Sequence, residues 1–409
     1  MTMLQQPPFP SHPNPRLSEY TVSLVTRVAP SASGELLLPK SNVRISLPSS
    51  ERMPTVTNSE LFHIADDNLQ GLWDGGAKLS NPEHIVIAGT TRIGALQDPG
   101  RFTVIQVGSS TYAFFRQWNA SIERFEIYRA VSSDGLNFTV EYNPVIKNGD
   151  AVSGYGTLEH GYDPDVIAYG GYYYLCFEGA TEGTGVCSLV ARASSITGAF
   201  AITGFAVRYT GSNQENSAST PNFLKSGINA DCLLTWVNVH YNTEIVTHHQ
   251  KAFPGNDLTS QITTNPNEGQ LPQTTGWANK NFGAASCIYE APYYYMFYEG
   301  SDTFGCSGQW GIGLCRTTDM YNKDSWAHDP NNPLLWAGMS DSCWISYPKI
   351  IMLDGKYYLY YQNPYTNYPT TQTIYRRQIQ INTAADINND RRVDLKDFSV
   401  LAEYWLAEQ

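Results

Sequence analysis

A strand–turn–strand pattern that recurs along the chain constrains the fold more than any other feature of the sequence. Its clearest copy spans residues 159–179, where two runs rich in β-branched and aromatic residues flank Gly170 and Gly171. Such runs favour β-strands, and paired glycines favour a tight hairpin turn. Asp163 opens the first strand and Glu178 closes the second. Antiparallel pairing therefore places both carboxyl groups at the same end of the hairpin.

Five copies of this pattern follow one another at a spacing of about 60 residues. Their strand-opening positions are Asp98, Asp163, Thr220, Ala284 and Tyr347. Their second strands end near Arg116, Glu178, Val237, Glu299 and Gln362. A repeat of this length is typical of propellers and solenoids, and each copy has room for three or four strands. The sequence therefore predicts an all-β chain that folds as a five-bladed β-propeller, in which radial closure leaves few open sheet edges.

The N-terminal part of the chain precedes this repeat and is predicted to contain a linker and additional strands. Residues 1–19 are expected to be a disordered segment, a tag or a linker, because the first fifteen are polar and rich in proline. Residues 20–383 are predicted to form the propeller. Within them, segments 20–28, 60–65 and 84–89 are predicted N-terminal strands. One of these strands is expected to complete the fifth blade and so close the ring.

The composition limits the classes of partner. Charged residues make up 16% of the chain and aromatic residues 13%, which suits packed sheets rather than disorder. The net charge of −12 argues against a nucleic-acid partner, and no apolar run is long enough to span a membrane. No segment typical of a secretory signal is visible in residues 1–15. The seven cysteines show no Cys-x-x-Cys spacing, so they are either buried thiols or, in a secreted protein, include a disulfide such as Cys306–Cys343.

Several motifs occur together in the repeated units. The first strand opens with Asp-Pro, as at Asp163, and the second ends with aromatic-Glu-Gly, as at Glu178. A third strand of the type at 312–319 and a closing Asn-Asn-Pro-Leu-Leu at 331–335 complete the set. Over about residues 84–381, the chain thus resembles the five-bladed glycoside hydrolases of families 32, 43, 117 and 130.

This resemblance implies an extracellular or cell-surface bacterial glycoside hydrolase that cleaves a plant or algal polysaccharide or its oligosaccharides. Acid and base catalysis by carboxylates at the propeller axis would need no cofactor. No nucleic-acid or membrane partner is expected. A non-catalytic carbohydrate-binding propeller is the alternative, because one position that the resemblance expects to be acidic is not acidic in this chain.

Catalytic residues are expected where strand openings and second-strand ends meet around the axis. Hydrolysis needs one carboxyl group that protonates the leaving oxygen and another that activates water or attacks the sugar. Similarity to family 43 implies that Asp98 is the general base and that Asp163 orients the acid and tunes its pKa. The acid itself stays open, because Thr220 occupies its position. The candidates are Glu299, Glu178 and Glu215, or, by similarity to family 117, His160 and His240.

Substrate contacts are expected from side chains near the same face. An arginine can stabilise a carboxylate, and aromatic rings can stack on sugar rings. The candidates are Arg116, Trp118, His160, Trp236, His240, Trp310, Trp344 and Gln362. Asp165, in contrast, is assigned only to the turn at the start of its strand.

The C-terminal segment 384–409 carries a different motif. Oxygen-bearing side chains recur at the positions of a calcium-binding loop, and an amphipathic helix is predicted over 398–406. The expected ligands are Asp386, Asn388, Asp390, the Arg392 carbonyl, Asp394 and Asp397. The motif resembles one repeat of a dockerin, which implies structural calcium and a cohesin-like partner. Two departures are that Arg391 stands in place of the loop glycine and that a dockerin has two repeats.

We predict that the whole chain binds calcium through this loop. Titration calorimetry of the metal-free protein should detect binding that is lost in Asp386→Ala, because that carboxylate supplies both charge and a ligand atom. Glu403→Ala, which lies outside the loop, is the control and should bind normally. An unchanged titration in Asp386→Ala would contradict the assignment.

Overall fold

The computed structural model describes residues 67–94, 96, 99–182, 184–208, 217–240, 243–265, 268–273, 276–303, 310–336, 345–364 and 372–382. All of them belong to His63–Gln409, the second of the two units into which the chain divides. The predicted strands at 20–28 and 60–65 and the C-terminal segment 384–409 lie outside the described residues.

The described part of the chain begins with a short helix and three short strands. Helix α1 (Leu69–Asp74) is capped by Asn68, whose side chain accepts a hydrogen bond of 2.7 Å from the Gly71 N–H. Gly75 ends the helix in the left-handed conformation. The strands that follow are β1 (Ala77–Leu79), β2 (Glu83–His84) and β3 (Val86–Ala88). None of the described helices is long and apolar enough to cross a membrane.

Five antiparallel units follow within the described residues, each formed by strands that are neighbours in sequence. The first contains β4 (Gly100–Val107), β5 (Ser110–Asn119), β6 (Arg124–Ser132) and β7 (Asn137–Val140). The second contains β8 (Ala151–Val152), β9 (Gly156–Tyr169), β10 (Tyr172–Thr181), β11 (Cys187–Ala193) and β12 (Ala201–Val207). The third contains β13 (Ser219–Lys225), β14 (Cys232–His240) and β15 (Ile245–Ala252), followed by a 3₁₀ turn, Pro254–Asn256.

The fourth and fifth units repeat this plan. The fourth contains β16 (Asn281–Glu290), β17 (Tyr293–Ser301), β18 (Gly311–Thr317), the 3₁₀ turn Lys323–Ser325, β19 (Ala327–His328) and β20 (Leu335–Trp336). The fifth contains β21 (Ser346–Leu353), β22 (Lys356–Pro364) and β23 (Gln372–Ile381). Their second strands are rich in tyrosine, phenylalanine and leucine, which fit a pleated and largely buried surface.

One strand of each unit is called its first strand here, and the five are β4, β9, β13, β16 and β21. These first strands lie beside one another in a closed order. Strand β4 contacts β9, β9 contacts β13, β13 contacts β16, β16 contacts β21, and β21 contacts β4 again. A parallel pair, Val246 and Asn281, joins the third unit to the fourth by hydrogen bonds. The predicted all-β class is confirmed. The blade count stays a prediction, which this cyclic order supports.

Apolar clusters fill the spaces between neighbouring units. Phe114 of the first unit packs with Phe177 of the second in one cluster, and Phe297 of the fourth packs with Leu359 of the fifth in another. Helix α1 adds Leu69 to the second of these clusters. All five side chains are fully buried. Because burying one such side chain stabilises the fold by about 1.5–3 kcal/mol, each junction between units contributes its own share of the core.

A segment that precedes the first unit completes the fifth. Strand β1 pairs with β23 through Ala77 and Ile381. Strand β2 pairs with β23 through Glu83 and Arg376, whose side chains also form an ion pair of 2.8 Å. Strand β3 instead pairs in parallel with β7 of the first unit. The predicted strand 84–89 is therefore divided between two units, and β1 and β2 join the N-terminal and C-terminal parts of the ring.

The described cysteines are free thiols. Burial raises the pKa of each of them, and they pack as small apolar side chains. They are Cys176, Cys187, Cys232, Cys287 and Cys315. Cys306 and Cys343, the pair considered for a disulfide, lie outside the described residues.

A buried carboxylate at the ring axis joins four of the units. Asp165 in β9 accepts hydrogen bonds of 2.9 Å from the Thr103 hydroxyl of the first unit and from the Phe223 N–H of the third. It also forms an ion pair with Lys349 Nζ of the fifth unit. Only 2% of Asp165 is exposed, so these partners replace the water that the carboxylate has lost. The assignment of Asp165 to a turn is wrong, because its side chain points into the axis and contacts neighbouring units.

We predict that Asp165→Ala lowers the free energy of unfolding by about 3–5 kcal/mol, because it leaves the Lys349 ammonium buried without its carboxylate. The double variant Asp165→Ala/Lys349→Met should be less destabilised, since no unpaired charge remains. Urea unfolding of the wild type, both single variants and the double variant yields the coupling free energy. Simple additivity of the two single effects would contradict the ion pair as the source.

Candidate active site

Each of the five first strands carries a register irregularity at the same place. The irregularities lie at residues 100–103, 162–165, 219–222, 282–285 and 346–349. The residue that follows the first residue of each irregularity is called a head position here, and the five are Arg101, Asp163, Thr220, Gly283 and Tyr347, which places the fourth one residue before the Ala284 of the sequence repeat. In order, φ is 53° at Arg101, 55° at Asp163, 42° at Thr220 and 52° at Tyr347. Non-glycine residues rarely adopt this conformation, and such strain concentrates at functional sites.

In the first unit, the head position is occupied by an arginine. Gly100 pairs with Arg116 just as Tyr162 pairs with Glu178, so Arg101 corresponds to Asp163. The sequence alignment had placed Asp98 there, three positions earlier. Asp98 itself lies outside the described residues, and its role as the general base stays a prediction.

The backbone N–H groups at three head positions are bound by side chains of the preceding unit. Glu178 Oε2 accepts from the Thr220 N–H at 2.8 Å, and Glu299 Oε2 accepts from the Tyr347 N–H at 2.9 Å. Gln362 Oε1 does the same for the Arg101 N–H at 3.0 Å, across the closure of the ring.

These three acceptors are nearly inaccessible to solvent, with 6%, 6% and 2% exposure for Glu178, Glu299 and Gln362. Each supplies a partner to a backbone donor that the irregular strand leaves unpaired. Gln362, which is predicted to contact substrate, is buried with its oxygen bound to the Arg101 N–H, and its role as a substrate contact stays a prediction. Glu178 and Glu299 likewise each accept the backbone N–H of a head residue in the next unit, so both have a structural role.

Two guanidinium groups converge on the buried carboxylate of Asp163. Arg101 forms an ion pair with it, and Arg116 Nη1 lies 3.9 Å from its Oδ1. The Arg101 guanidinium also lies 3.8 Å from the centroid of the Tyr347 ring. Only 3% of the Asp163 side chain is exposed, whereas 19% of the Arg101 side chain is. Arg101 is therefore the more accessible partner in this ion pair.

Burial raises the pKa of both glutamates, while the nearby positive charge of Arg101 partly opposes the rise. Tyr162 also hydrogen-bonds to Glu178, and burial raises the pKa of that phenol. The face thus holds an ion-paired carboxylate beside carboxyl groups that retain a proton to a higher pH than usual. Environments that separate carboxyl groups in this way are typical of paired acid and base roles.

Polar atoms without a hydrogen-bond partner occur at this face. Within the described part of the chain, Arg101 Nε, Thr220 Oγ1 and Ser346 Oγ are buried and make no hydrogen bond. Two of them belong to head positions, and Ser346 precedes the head position Tyr347. Buried polar atoms are usually satisfied, so their clustering here is consistent with a site that polar groups of a ligand complete.

An aromatic row extends from Asp163 toward the rim. The centroids of Phe125 and Tyr162 are 5.9 Å apart, and the Arg116 guanidinium lies 4.5 Å from the Phe125 centroid. Trp118 meets Phe125 edge-on at 4.9 Å, and His160 meets Tyr162 edge-on at 5.3 Å. Trp118 and His160 are half-buried. The structure therefore brings these two predicted contacts together with Arg116 and Asp163.

The axis below the head positions is narrow. Four head residues, and the residues that follow the head position in all five units, line a cavity of about 40 Å³, with Asp165 and Lys349 in its wall. This volume has room for about three water molecules. A sugar ring cannot enter it, so any substrate must lie across the face above the head positions.

Other predicted contacts lie elsewhere. Trp236 is 0% exposed and stacks on His249, with ring centroids 5.5 Å apart, so its prediction as a substrate contact is wrong: it belongs to the core between the second and third units. His240 is half-buried, with Nε2 3.1 Å from Thr247 Oγ1. Trp310 is half-buried ahead of β18. Lying outside the described residues are Glu215, Trp344, Asp386, Asn388, Asp390, Arg392, Asp394 and Asp397.

Sequence reasoning placed Tyr347 at a strand opening but missed Arg101 and Tyr162 as parts of the site. A proline follows the head position in the second, third and fifth units, and the repeat in the sequence is recognised by this proline. In the first unit, Phe102 follows the head position instead, so the Asp98-Pro99 pair misdirected the alignment. Alignment of the second strands places Arg116 at the position of Glu178. Since Arg116 lies opposite Gly100, this alignment could have identified Arg101 as the head residue.

Comparisons with known proteins identify solved structures that have a similar architecture. No protein-family model matches the chain, and no curated protein matches it. Among solved structures, an exo-1,5-α-L-arabinanase from a bovine ruminal metagenomic library aligns with a TM-score of 0.51, at 15% identity, over 70% of this chain and 93% of its own. A thermostable family-43 glycoside hydrolase aligns with a TM-score of 0.53, at 15% identity, over 72% of this chain and 92% of its own.

A further structure, described as a glycoside hydrolase, aligns with a TM-score of 0.55, at 12% identity, over 79% of this chain and 96% of its own. The chain has the fold of these glycoside hydrolases. At such low identity the similarity shows the fold alone, and the chemistry has to be argued from the head positions and their neighbours.

We predict that the contribution of Glu178 and Glu299 to stability falls as pH rises above the pKa of an unfolded glutamate, through the raised pKa values of these two groups in the folded protein. Over that interval the folded protein binds more protons than the unfolded chain, so the free energy of unfolding decreases with pH. Glu178→Gln/Glu299→Gln should flatten this dependence, because glutamine accepts the same backbone N–H, as Gln362 does. Thermal unfolding of both proteins from pH 4 to 8 tests this. Parallel curves would contradict the raised pKa values.

Proposed function

We propose that the chain is a glycoside hydrolase that cleaves a plant or algal polysaccharide or its oligosaccharides at the face formed by the head positions. The observation that carries the proposal is the convergence of Arg101 and Arg116 on Asp163 beside the buried carboxyl groups of Glu178 and Glu299. The fold shared with glycoside hydrolases, one of them an arabinanase, supports it. Arabinan is therefore the first substrate to test.

Glu178 is the general acid in this proposal. It pairs with Tyr162, the residue that precedes Asp163, so it is the glutamate closest in register to the ion-paired carboxylate. Its Oε2 accepts the Thr220 N–H, and Tyr162 also hydrogen-bonds to the carboxyl group, while burial favours the protonated form that an acid needs. Glu299 lies in the fourth unit, next to Gly283, and is the alternative acid. The register thus favours Glu178 over Glu299.

The reaction needs a second carboxylate opposite the acid. Glu178 donates its proton to the glycosidic oxygen as the bond to the anomeric carbon breaks, and a base takes a proton from the water that attacks this carbon. Asp98 remains the proposed base. Asp163, held by Arg101 and Arg116, orients the acid and maintains negative charge beside it.

The sequence alone supports the remaining parts of the proposal. They are a bacterial extracellular or cell-surface location, a structural calcium ion bound by Asp386, Asn388, Asp390, Arg392, Asp394 and Asp397, and a cohesin-like partner of the C-terminal segment. Catalysis by carboxyl groups would need no cofactor.

A non-catalytic carbohydrate-binding propeller is the second candidate function. It is favoured by the observation that Glu178 and Glu299 perform the same backbone-binding task as Gln362, which is not ionisable. In that case the two glutamates would serve the fold alone, and Thr220 would mark the position at which the acid is missing.

We predict that Glu178→Gln lowers kcat on a polysaccharide by on the order of a hundredfold or more, with a much smaller loss on activated aryl glycosides, whose leaving groups need little protonation. Glutamine preserves the hydrogen bond from the Thr220 N–H, so the loss would report chemistry rather than folding. Glu299→Gln is the matched control and should lose less than tenfold. If Glu299→Gln shows the larger loss, the acid is Glu299. If the wild type binds but hydrolyses none of the polysaccharides, the non-catalytic function is correct.

We predict that Asp98→Asn lowers kcat by on the order of a hundredfold or more and changes KM little, because the amide keeps the shape of the side chain and removes the base. Asn81→Asp, a surface change away from the head positions, is a control for general effects. Near-normal turnover in Asp98→Asn would reject this residue as the base.

A further inference from the structure

A second cleft lies at the opposite end of the second unit. Tyr169, Gly170, Gly171, Tyr172 and Tyr173 form one wall at the β9–β10 turn, and Lys225 of the third unit forms part of the other. Its volume is about 470 Å³, which is in the range of ligand-binding clefts and far above that of the axial cavity. Because Asp163 lies in the middle of β9 and Tyr169 ends the strand six residues later, the cleft is roughly 20 Å from the head positions.

The cleft is held in shape by hydrogen bonds between the second and third units. Lys225 Nζ donates to the Ala168 carbonyl at 3.1 Å. The Tyr169 hydroxyl donates to the Ala230 carbonyl and lies 3.2 Å from the Asn256 carbonyl. These contacts join both walls, so the opening exists without a ligand and does not require the units to move apart.

The aromatic wall offers an exposed ring whose position is fixed. Tyr172 is 41% exposed. The Arg192 guanidinium lies 4.6 Å from its ring centroid, and Tyr174 meets it edge-on at 6.4 Å. An amphipathic ring that is immobilised in this way can pack against the C–H groups of a sugar at little entropic cost.

The charges around the cleft favour an uncharged ligand. Lys225 is the charged residue in the lining, and the carboxylate of Asp231 follows Ala230 directly. Asp231 accepts a hydrogen bond of 2.6 Å from Asn256, which itself contacts Tyr169. Arg192, which stacks on Tyr172, adds a second positive charge, and Asp257, which interacts with Arg192, adds a second carboxylate. Two positive charges beside two carboxylates, on a chain of net charge −12, attract neither a polyanion nor a phosphate group. Both kinds of group can bind the hydroxyls of a neutral sugar.

We propose that this cleft is a secondary binding site for a neutral oligosaccharide chain, with Tyr172 as the stacking platform and Lys225 as a hydroxyl donor. The choice of ligand rests on the proposed function, because a polysaccharide hydrolase gains from holding its polymer at a second point. The site itself is separate from the head positions and takes no part in bond cleavage.

Affinity gel electrophoresis in arabinan, arabinoxylan or galactan tests the proposal on the whole chain. At least one neutral polysaccharide should retard the wild type, and Tyr172→Ala should bind that polymer about fivefold more weakly. Tyr172→Phe, which keeps the ring, should bind normally. Tyr142→Ala, which removes a 60% exposed tyrosine of the first unit, is the matched control and should also bind normally. Tyr172→Gln replaces the alanine variant if thermal unfolding shows that the latter is not folded.

Hydrolysis of a small aryl glycoside separates this site from the proposed catalytic function. Its turnover should be the same in the wild type and Tyr172→Ala, because a small substrate needs only the head-position face. Retardation that depends on Tyr172 supports the cleft even if no hydrolysis occurs. Equal retardation of the wild type and Tyr172→Ala, or no retardation of the wild type in any of the three polymers, overturns it.

Discussion

The fold depends on how buried backbone N–H groups at the axis find acceptors. At the head positions, the first strands leave the regular ladder, and at Arg101, Asp163, Thr220 and Tyr347 the backbone adopts the left-handed conformation, which removes N–H groups from normal strand pairing. Glu178, Glu299 and Gln362 accept three of these N–H groups from the neighbouring unit, and Asp165 accepts the N–H of Phe223 one layer deeper. Each contact links consecutive units, so the same bonds that satisfy the backbone also hold the ring together.

This arrangement bears directly on function, because the structural task does not require an acid. Gln362 performs it with an amide, whereas Glu178 and Glu299 perform it with buried carboxyl groups whose pKa burial raises. A buried carboxyl group lowers stability when it ionises, and an amide would avoid that loss. Gln362 thus shows that the backbone contact can be made without an ionisable group, and the acid role of Glu178 or Glu299 rests on the proposed function.

The repeat and the position of the hairpin ends could be predicted from the sequence, whereas the register at the axis could not. Glycine turns and aromatic strands are local signals, so Asp163 and Glu178 were correctly expected at the same end of one hairpin. The irregularity that makes Arg101 the counterpart of Asp163 depends on pairing between strands, which a proline pattern does not encode. Burial of Trp236 likewise results from packing between two units, and the sequence of its own strand does not indicate it.

The most direct test of the account is a crystal structure of Glu178→Gln with a bound oligosaccharide of a polymer that the wild type cleaves. The account predicts that the sugar chain lies across the head positions, with a glycosidic oxygen within about 3 Å of the introduced carboxamide and Asp163 beside the acid position. The carboxamide oxygen should still accept the Thr220 N–H. A sugar chain bound away from the head positions, with residue 178 shielded from it, would contradict the assignment of this face as the catalytic site.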